Sequence, residues 1–328
     1  MPKVSVIIVN YNAGEWLKKC VASVAAQSLA DFECFIVDNN SSDGSLDQLP
    51  KLDKRFKIVK LDDNLGFAVA NNVAAKQATS PWLALLNPDA FADPDWLEKL
   101  LVETKTAPNI KMVGSLQYLY GTERKILDGF GDCYHISGIA YRSAHQKRIA
   151  PETSGLVFGP CAAAALYERD LFLKIGGFDE SFFCYHEDVD LAFRMQLAGG
   201  DCVQSKYAIV EHVSSGISDQ TPEFALYHGA RNRIWTFVKN MPLPLLIGFF
   251  PLHVFVNMLD VIRAALKKGR LRPTVRGIVD GFKGIPRILK SRKHVHQYQT
   301  LGVVALLMRF TYSPQKLLAR GIHIRKLP

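Results

Sequence analysis

The sequence has little cysteine, and no pattern gives its cysteines a structural role. Six cysteines stand among 328 residues, with no CxxC pair and no cysteine and histidine cluster at the spacing of zinc ligands. This spacing predicts reduced thiols in a cytosolic compartment. The chain is 48% hydrophobic, which supplies enough apolar material for a core and excludes a small disulfide scaffold. A secretory signal peptide is not expected, because Lys3 leads directly into a β-branched run and no cleavage site follows.

Acidic residues are scarce in the last part of the chain. Residues 241–328 carry 16 Lys and Arg but only two acids, whereas residues 1–240 carry 24 basic and 29 acidic side chains. Composition therefore predicts an acidic body over 1–240 and a basic region over 241–328. A region so rich in positive charge suits an anionic membrane surface or a nucleic acid.

The first 90 residues alternate between apolar runs and helical periodicity. The predicted elements are strands at 4–9, 32–37, 56–61 and 82–86 and helices at 15–27 and 67–78. Residues 111–167 indicate shorter strands and loops, and a further helix is predicted over 187–198. The first four strands end in polar clusters, which meet at one edge of a parallel sheet, so this edge is the predicted site.

Several segments, taken in order, carry a family resemblance. They are VSVIIVNYN at 4–12, VDNNSSDGS at 37–45, NLGFAVANN at 64–72, LNPDA at 86–90, GFDE at 177–180 and EDVDL at 187–191. In this order they resemble the family 2 inverting glycosyltransferases of GT-A fold, most of all bacterial rhamnosyltransferases that act on lipid-linked oligosaccharides. The resemblance covers about 1–240 and implies an α/β, Rossmann-like nucleotide-binding sheet with helices on both faces.

The resemblance also implies where a nucleotide-sugar donor binds. Asp38 would accept a hydrogen bond from the imide N–H of uracil or thymine. The other implied donor residues are Asn10, Tyr11 and Asn12 beside the base, Asn64, Gly66 and Asn71 on the ribose side, and Asn87 at the diphosphate end. Turn formation and helix capping are the alternative for these residue types.

A metal site is implied next to the diphosphate. Asn87-Pro88-Asp89 stands where the family usually has Asp-x-Asp, so only Asp89 supplies a charge. One carboxylate suffices for a cation that also binds two phosphates and water. His212 resembles the later metal-binding histidine of the family, although a lone histidine after a strand is more often structural. An imidazole ligand favours Mn²⁺ over Mg²⁺.

Glu187 and Asp188 open a predicted helix. Inverting transfer requires a base that takes the proton of the acceptor hydroxyl opposite the leaving group. The resemblance assigns this role to Asp188 and the positioning of the hydroxyl or the base to Glu187, while a favourable helix dipole is the structural alternative. Arg231 and Arg233 are candidates for binding the diphosphate of the donor or of a lipid-linked acceptor. An exposed helical face is their alternative.

The basic region also contains long apolar runs. Residues 241–261 have the length of a membrane span but include three prolines and an aspartate, which favours an interfacial or re-entrant segment. Val275, Val279, Phe282 and Leu289 recur at helical spacing opposite basic residues, as in a helix lying on an anionic membrane. Glycines at 277, 281 and 284 weaken this helix prediction. The apolar runs favour a membrane partner and no nucleic acid.

The sequence thus predicts a metal-dependent, inverting glycosyltransferase on the cytoplasmic face of the bacterial inner membrane. Its predicted reaction is transfer of L-rhamnose from dTDP-rhamnose to a polyprenyl-diphosphate-linked saccharide in cell-surface polysaccharide biosynthesis. A UDP-sugar-dependent hexosyl, N-acetylhexosaminyl or galactofuranosyl transferase is the alternative. A non-catalytic membrane-bound scaffold is the alternative of another class. A nucleotidyltransferase is disfavoured, because it would need a Gly-rich basic loop after the first strand, where the sequence has NYNAGE at 10–15. Oligomerisation stays open.

Overall fold

A computed structural model describes residues 1–214 and 222–327. Within them, one ten-stranded sheet forms the centre of the molecule and a separate hairpin lies beside it. The strands are β1 (Val4–Asn10), β2 (Phe32–Asp38), β3 (Phe56–Lys60), β4 (Trp82–Leu86), β5 (Ala90–Ala92), β6 (Ile110–Leu119), β7 (Leu127–Gly129), β8 (Asp132–Tyr134), β9 (Ala140–Arg142), β10 (Gly155–Val157), β11 (Ala164–Glu168) and β12 (Asp201–His212). Strands β8 and β9 form the hairpin.

The sheet has the order β10-β12-β6-β11-β4-β1-β2-β3, with β5 and β7 pairing at β12 and β6. Strands β3, β2, β1 and β4 are parallel, and β11 runs antiparallel between β4 and β6. The register of β1 on β2 places Asn10 opposite Asp38. The parallel arrangement predicted for the first four strands is confirmed, and their carboxyl ends share one edge.

Helices cover both faces of this sheet. They are α1 (Glu15–Ala25), α2 (Gly66–Gln77), α3 (Trp96–Glu103), α4 (Arg169–Lys174), α5 (Glu187–Leu197), α6 (Pro222–Asn240), α7 (Leu243–Ala265), α8 (Leu271–Lys283), α9 (Ile285–His296), α10 (Val303–Leu307) and α11 (Pro314–Ala319). Successive residues of β1 face opposite sides. Ile8 therefore packs in the core with Leu17 of α1, and Ile7 in the core with Ala70 of α2.

The C-terminal helices pack on the body through α6. Helices α8 and α9 both contact α6, and a Cβ on Gly277 would lie 2.4 Å from the carbonyl oxygen of Tyr227. The glycines that weaken the helix prediction therefore permit the close approach of α8 to α6. Farther on, the backbone of Arg325 exchanges two hydrogen bonds of 2.8 Å with Leu156 in β10. The predicted division at residue 240 falls at the end of α6, and the segment beyond it returns to the sheet.

Helix α7 is the one helix of the described residues that is long and apolar enough to cross a membrane. Only 17% of its most apolar stretch of 18 residues is buried in the molecule. Pro242 and Pro244 stand before and within its first turn, where no helical N–H is needed, while Pro251 lies inside the helix. The segment predicted to be interfacial or re-entrant thus forms one continuous helix, and its relation to a membrane stays a prediction.

Candidate functional site

A cleft of about 700 Å³ lies at the carboxyl ends of the parallel strands. This is the edge at which the sequence places the site. The cleft is lined by eight of the predicted site residues: Tyr11, Asn64, Gly66, Asn87, Asp89, Glu187, Asp188 and His212. Residues separated by up to 200 positions are thereby brought to one cavity.

The donor end of the cleft is built by asparagine side chains that hold backbone in place. Asn39 Nδ2 donates to Asn64 Oδ1 at 2.8 Å, and the N–H of Leu65 donates to Asn39 Oδ1 at 2.9 Å. Gly66 has a φ of +84°, and a Cβ there would lie 2.7 Å from the ring of Phe183. Glycine is therefore required where α2 begins against the cleft wall. Asn39 lines the cleft, although it was not among the predicted donor residues.

Asn10 and Asp38 lie behind this wall and are almost completely buried. Asn10 Nδ2 donates to Asp38 Oδ1 at 2.8 Å and to Ser45 Oγ at 2.9 Å, and the N–H of Ser41 donates to Asp38 Oδ2 at 3.3 Å. Asn12 Oδ1 accepts from the N–H of Ser42 at 2.8 Å. These three side chains make the contacts of the turn interpretation, and direct binding of the base stays a prediction.

Asp89 and His212 meet at the end of the cleft predicted to bind metal. His212 Nε2 lies 3.3 Å from Asp89 Oδ1, and His212 Nδ1 lies 2.9 Å from Asp128 Oδ2. Burial favours the neutral imidazole, but the hydrogen bonds to Asp128 and Asp89 outweigh it and raise the pKa of His212 to about 9. Asn87 Nδ2 lies 3.4 Å from the same Nε2 atom.

This arrangement fits a divalent cation that also binds a diphosphate. The carboxylate of Asp89 and the Nε2 atom of His212 are adjacent, and both residues line the cleft. Asp128 contacts the opposite ring nitrogen, Nδ1, as carboxylates often do at histidines that bind a metal through the other nitrogen. Among the residues that the structure describes, three or more ligating side chains of His, Cys, Asp or Glu nowhere cluster. The two residues therefore require oxygens from a substrate or water to complete a coordination sphere.

Glu187 and Asp188 line the same cleft, at the start of α5. Asp188 Oδ1 accepts from the N–H of Val189 at 2.8 Å, and Oδ2 accepts from that of Ala162 at 3.5 Å. Glu187 is buried, and its Oε2 atom has no hydrogen-bond partner in the part of the chain described. Burial raises the pKa of both carboxyls, and the charge of Asp188 raises the pKa of Glu187 further.

Asp132 and Arg142, on the β8–β9 hairpin, also line the cleft and were missed by the sequence analysis. Arg142 Nη1 donates to Asp128 Oδ2 at 2.7 Å, and its Nε lies 4.0 Å from Asp132 Oδ1. Burial and the charge of Asp188 raise the pKa of Asp132 to about 7. One arginine therefore lies between the carboxylate that holds His212 and a carboxylate that interacts with Asp188.

The loop before α5 closes the cleft near these acids. Phe183, Tyr185 and His186 all have φ between 63° and 67°, a region that non-glycine residues rarely adopt. The three carbonyls of Phe182, Cys184 and Tyr185 accept hydrogen bonds from Asn232 Nδ2 on α6. A buried amide on α6 thus stabilises the unusual backbone of the cleft wall.

Besides Asn10, Asn12 and Asp38, three more predicted residues do not line the cleft. Asn71 is buried and donates to the carbonyl of Phe67 within α2. Arg231 donates to the carbonyl of Phe182 and lies over the ring of Trp235 at 4.3 Å. Arg233 donates to Asn257 and Asp260 on α7 at 2.7 and 2.9 Å. The structure therefore places Arg231 against the loop before α5 and Arg233 in a contact between α6 and α7. Neither arginine lines the cleft, and both are partly buried, so an exposed helical face does not describe them either.

The sequence around three residues of the site that were not predicted gives little indication of their position, because pairing between distant strands places them. Asp128, Asp132 and Arg142 lie in or beside strands of three residues, where an isolated charged residue resembles a loop position. Only the pairing of β7 with β6 and of β8 with β9 brings them to the cleft.

Several known proteins are similar to this chain in sequence. An O-antigen biosynthesis protein of Myxococcus xanthus is 29% identical over 244 residues, which are 68% of this chain and 18% of that protein. The N-acetylglucosaminyl-diphospho-decaprenol L-rhamnosyltransferase of Mycobacterium tuberculosis is 27% identical over 245 residues, which are 66% of this chain and 78% of that protein. The chain spans less than half of the length of the Myxococcus protein and of several other relatives.

The fold is also found in solved structures. A crystal structure of GalNAc-T7 with UDP, GalNAc and Mn²⁺ superposes with a TM-score of 0.62 and 17% identity, over 87% of this chain and 56% of that one. This likeness confirms the fold that the resemblance implies. Residues 5–176, more than half of the chain, match the family model described as glycosyl transferase family 2. The chain therefore belongs to glycosyl transferase family 2.

Proposed function

We propose that the protein is a metal-dependent, inverting glycosyltransferase of cell-surface polysaccharide biosynthesis. The observation that carries this proposal is the single cleft that Asp89, His212, Glu187 and Asp188 all line. Groups suited to a diphosphate and its cation thus share one cavity with a candidate base. Inverting transfer requires both, because a nucleotide leaves from one side of a sugar while a hydroxyl attacks from the other.

In this proposal, Asp89 and His212 hold the cation at the donor diphosphate. The bound cation would neutralise the charge that develops on the departing nucleotide. Asp128 fixes the tautomer and orientation of His212 through Nδ1, and Arg142 holds Asp128 in turn. The asparagines and Gly66 at the donor end leave space for the nucleoside beside Tyr11.

Asp188 takes the proton of the acceptor hydroxyl, and Glu187 accepts a hydrogen bond that orients this hydroxyl. The raised pKa of Asp188 brings a carboxylate closer to the pH at which a general base is effective. The buried Oε2 atom of Glu187 offers an acceptor without a partner in the described chain. Asp132 lines the same cleft, and the charge of Asp188 adds to burial in raising the pKa of Asp132.

We further propose L-rhamnose from dTDP-rhamnose as the donor and a polyprenyl-diphosphate-linked saccharide as the acceptor. The relative from Mycobacterium tuberculosis, named for rhamnosyl transfer to a diphospho-decaprenol substrate, supports this choice over 66% of the chain. A UDP-sugar is the alternative donor. The amide at Asn87 supports the second candidate, a scaffold without catalysis, although the acids and His212 of the cleft would then lack a function.

Contact with a membrane belongs to the same proposal. Helix α7 turns His253 and Asn257 toward the protein, while Leu243, Ile247 and Phe255 are more than half exposed. This apolar surface, which we call the α7 stripe and which also includes Met258 and Ile262, is flanked by the basic residues of α8 and α9. It supports peripheral or monotopic attachment to an anionic cytoplasmic leaflet.

Calorimetric titration of the full chain with dTDP, UDP and GDP, with Mn²⁺ or with chelator, tests the donor assignment. Metal-dependent binding of dTDP with higher affinity than UDP supports dTDP-rhamnose as the donor. Preference for UDP moves the donor to a hexose or hexosamine, and absence of binding by all three nucleotides supports the scaffold.

A further inference from the structure

A second cavity, of about 780 Å³, opens on the outer face of α8. It is lined by Glu223, Gly269, Leu271, Arg272, Val275, Arg276, Val279, Asp280 and Lys283, which we call the α8 groove. Leu271, Val275 and Val279 form its floor and are 43%, 37% and 43% exposed. Three apolar side chains at helical spacing are thus open to whatever enters the groove.

Three basic side chains and two acidic ones, Glu223 and Asp280, line the groove beside this apolar floor. Within the described chain, Arg272 and Lys283 form no ion pair, and Arg276 lies 3.9 Å from Asp280. Asp280 also accepts a hydrogen bond from the hydroxyl of Tyr227 at 3.0 Å. An occupant that combines a hydrocarbon chain with an anionic end matches this surface better than an acidic peptide or a sugar does, because it satisfies the floor and the rim together.

The groove adjoins the cleft. Glu223 lines the α8 groove, and the next residue of α6, Phe224, lines the cleft. The ring of Phe224 lies 6.0 Å from that of Phe183, in the loop that closes the cleft near Glu187 and Asp188. A single molecule therefore has a short path from the groove, past Phe224, to the proposed catalytic acids.

We infer that the α8 groove binds the hydrocarbon chain of a polyprenyl-diphosphate-linked acceptor. The basic rim contacts the diphosphate, and the attached saccharide lies in the cleft. This inference rests on the proposed function for the identity of the acceptor, but the groove is a binding site of its own. It also separates two surfaces of the C-terminal region: the α8 groove holds one acceptor molecule, whereas the α7 stripe contacts the bilayer.

Binding of undecaprenyl diphosphate in detergent micelles to the full chain tests the inference without any turnover. The double variant Val275→Ser/Val279→Ser keeps partly exposed positions and adds no charge, and we expect it to bind about tenfold more weakly. The matched control, Val304→Ser on α10 with Met308→Ser directly after it, changes side chains that are 73% exposed outside the groove and should bind as the wild type does. Equal affinity of the groove variant and the wild type would overturn the inference.

A second measurement separates the acceptor from bulk lipid. Both variants are sedimented with vesicles that contain anionic lipid, and the groove variant is expected to bind them as the wild type does. If it loses vesicle binding but keeps undecaprenyl diphosphate, the groove is a bilayer contact and the inference is wrong. Wild-type protein that binds undecaprenyl diphosphate through the groove but transfers no sugar to a lipid-linked acceptor contradicts the proposed function alone.

Discussion

The Nδ1 atom of His212 lies 2.9 Å from Oδ2 of Asp128, although 84 residues separate them in the chain. The other ring nitrogen, Nε2, faces Asp89 and the cleft. Asp128 is completely buried and also accepts from Arg142 and Ser214. Burial opposes its ionisation, but these hydrogen bonds and charges hold the pKa of Asp128 well below its usual range. A permanently charged carboxylate therefore fixes the orientation of the proposed metal ligand.

Replacement of Asp128 by Asn should weaken Mn²⁺-dependent nucleotide binding by about 10-fold to 100-fold. Loss of a carboxylate that orients a metal-binding histidine has an effect of this size at other metal sites. The physical reason is that His212 loses the charge that orients its ring. Calorimetry with and without Mn²⁺ measures the effect. Asp170→Asn changes a side chain that is 88% exposed and serves as the matched control. Unchanged metal dependence in Asp128→Asn would contradict the role of His212.

Replacement of Asp188 by Asn should leave binding of nucleotide intact and lower the transfer rate by about 100-fold or more, the contribution of a positioned general base. The amide keeps the shape of the side chain but takes up no proton. A coupled assay of nucleotide release, run beside calorimetry on the same sample, separates the two effects. An Asp188→Asn enzyme that transfers at the wild-type rate rules out this base.

The rate of transfer should fall at acid pH, because a general base acts only when it is ionised. Burial raises the pKa of Asp188, so the loss begins at a higher pH than for an exposed aspartate. Asp132 has a pKa raised to about 7 by burial and by the charge of Asp188. At lower pH Asp132 is already protonated and neutral, so Asp132→Asn removes no charge from beside Asp188 and should leave the pKa of Asp188 in place.

Below about pH 7, the acid limb of the kcat/KM profile of Asp132→Asn is therefore expected to coincide with that of the wild type. Rate profiles between pH 5 and about pH 8 compare the two proteins. Tyr207→Phe, at an exposed tyrosine of β12 away from the cleft, provides a control profile. An acid limb displaced from that of the wild type would contradict this order of protonation.

Lys239 connects α6 to the body through charge. Its Nζ lies 2.6 Å from Asp179 and 2.9 Å from Asp190, in surroundings where all three side chains are largely buried. Lys239→Met removes the cation that both carboxylates share, while Arg194 still contacts Asp190 and Ser181 still contacts Asp179. It should therefore lower the free energy of unfolding by about 1.5–3 kcal/mol, the contribution of a hydrogen bond to a charged group. Denaturant unfolding measures the change. Lys19→Met breaks an exposed pair with Glu15 and should cost less than about 1 kcal/mol.

The α7 stripe should determine attachment to vesicles. Phe255→Asp/Met258→Asp puts two charges on the exposed face of α7 and is expected to reduce sedimentation with anionic vesicles about tenfold or more. Ile58→Asp, at an exposed apolar residue of β3 in the body, should have no effect. Point variants suit this test better than truncation, because α8 and α9 cover α6. Equal sedimentation of both variants would exclude the stripe as the membrane contact.

The strands and helices that build the nucleotide half of the molecule are predictable because their signals are local. The run Val4–Val9 has a fully buried pattern, and the helix predicted from Glu187 corresponds to α5. Four polar strand ends place Asn64, Asn87 and Asp89 at one edge by topology alone. For these residues, position in the sequence already determines position at the cleft.

The rest of the site depends on pairings that the sequence does not show. Asp128 and Asp132 differ from ordinary surface acids only through the short strands that bury them and through Arg142 between them. Net charge is also an incomplete guide to the membrane-binding surface, because some basic residues of the C-terminal region contact the body of the protein. Arg309, for example, lies 2.8 Å from Asp201. Burial and partner, rather than residue type, decide what such charges do.

The most direct test of the central claim is a transfer assay of the full chain. It would contain dTDP-rhamnose, Mn²⁺ and a polyprenyl-diphosphate-linked saccharide, with released dTDP quantified and the product's anomeric configuration determined by NMR. The account predicts one dTDP released for each saccharide extended, inversion at the anomeric carbon, and loss of both signals with chelator. A product of retained configuration, or no turnover of dTDP- or UDP-sugars at all, would contradict it.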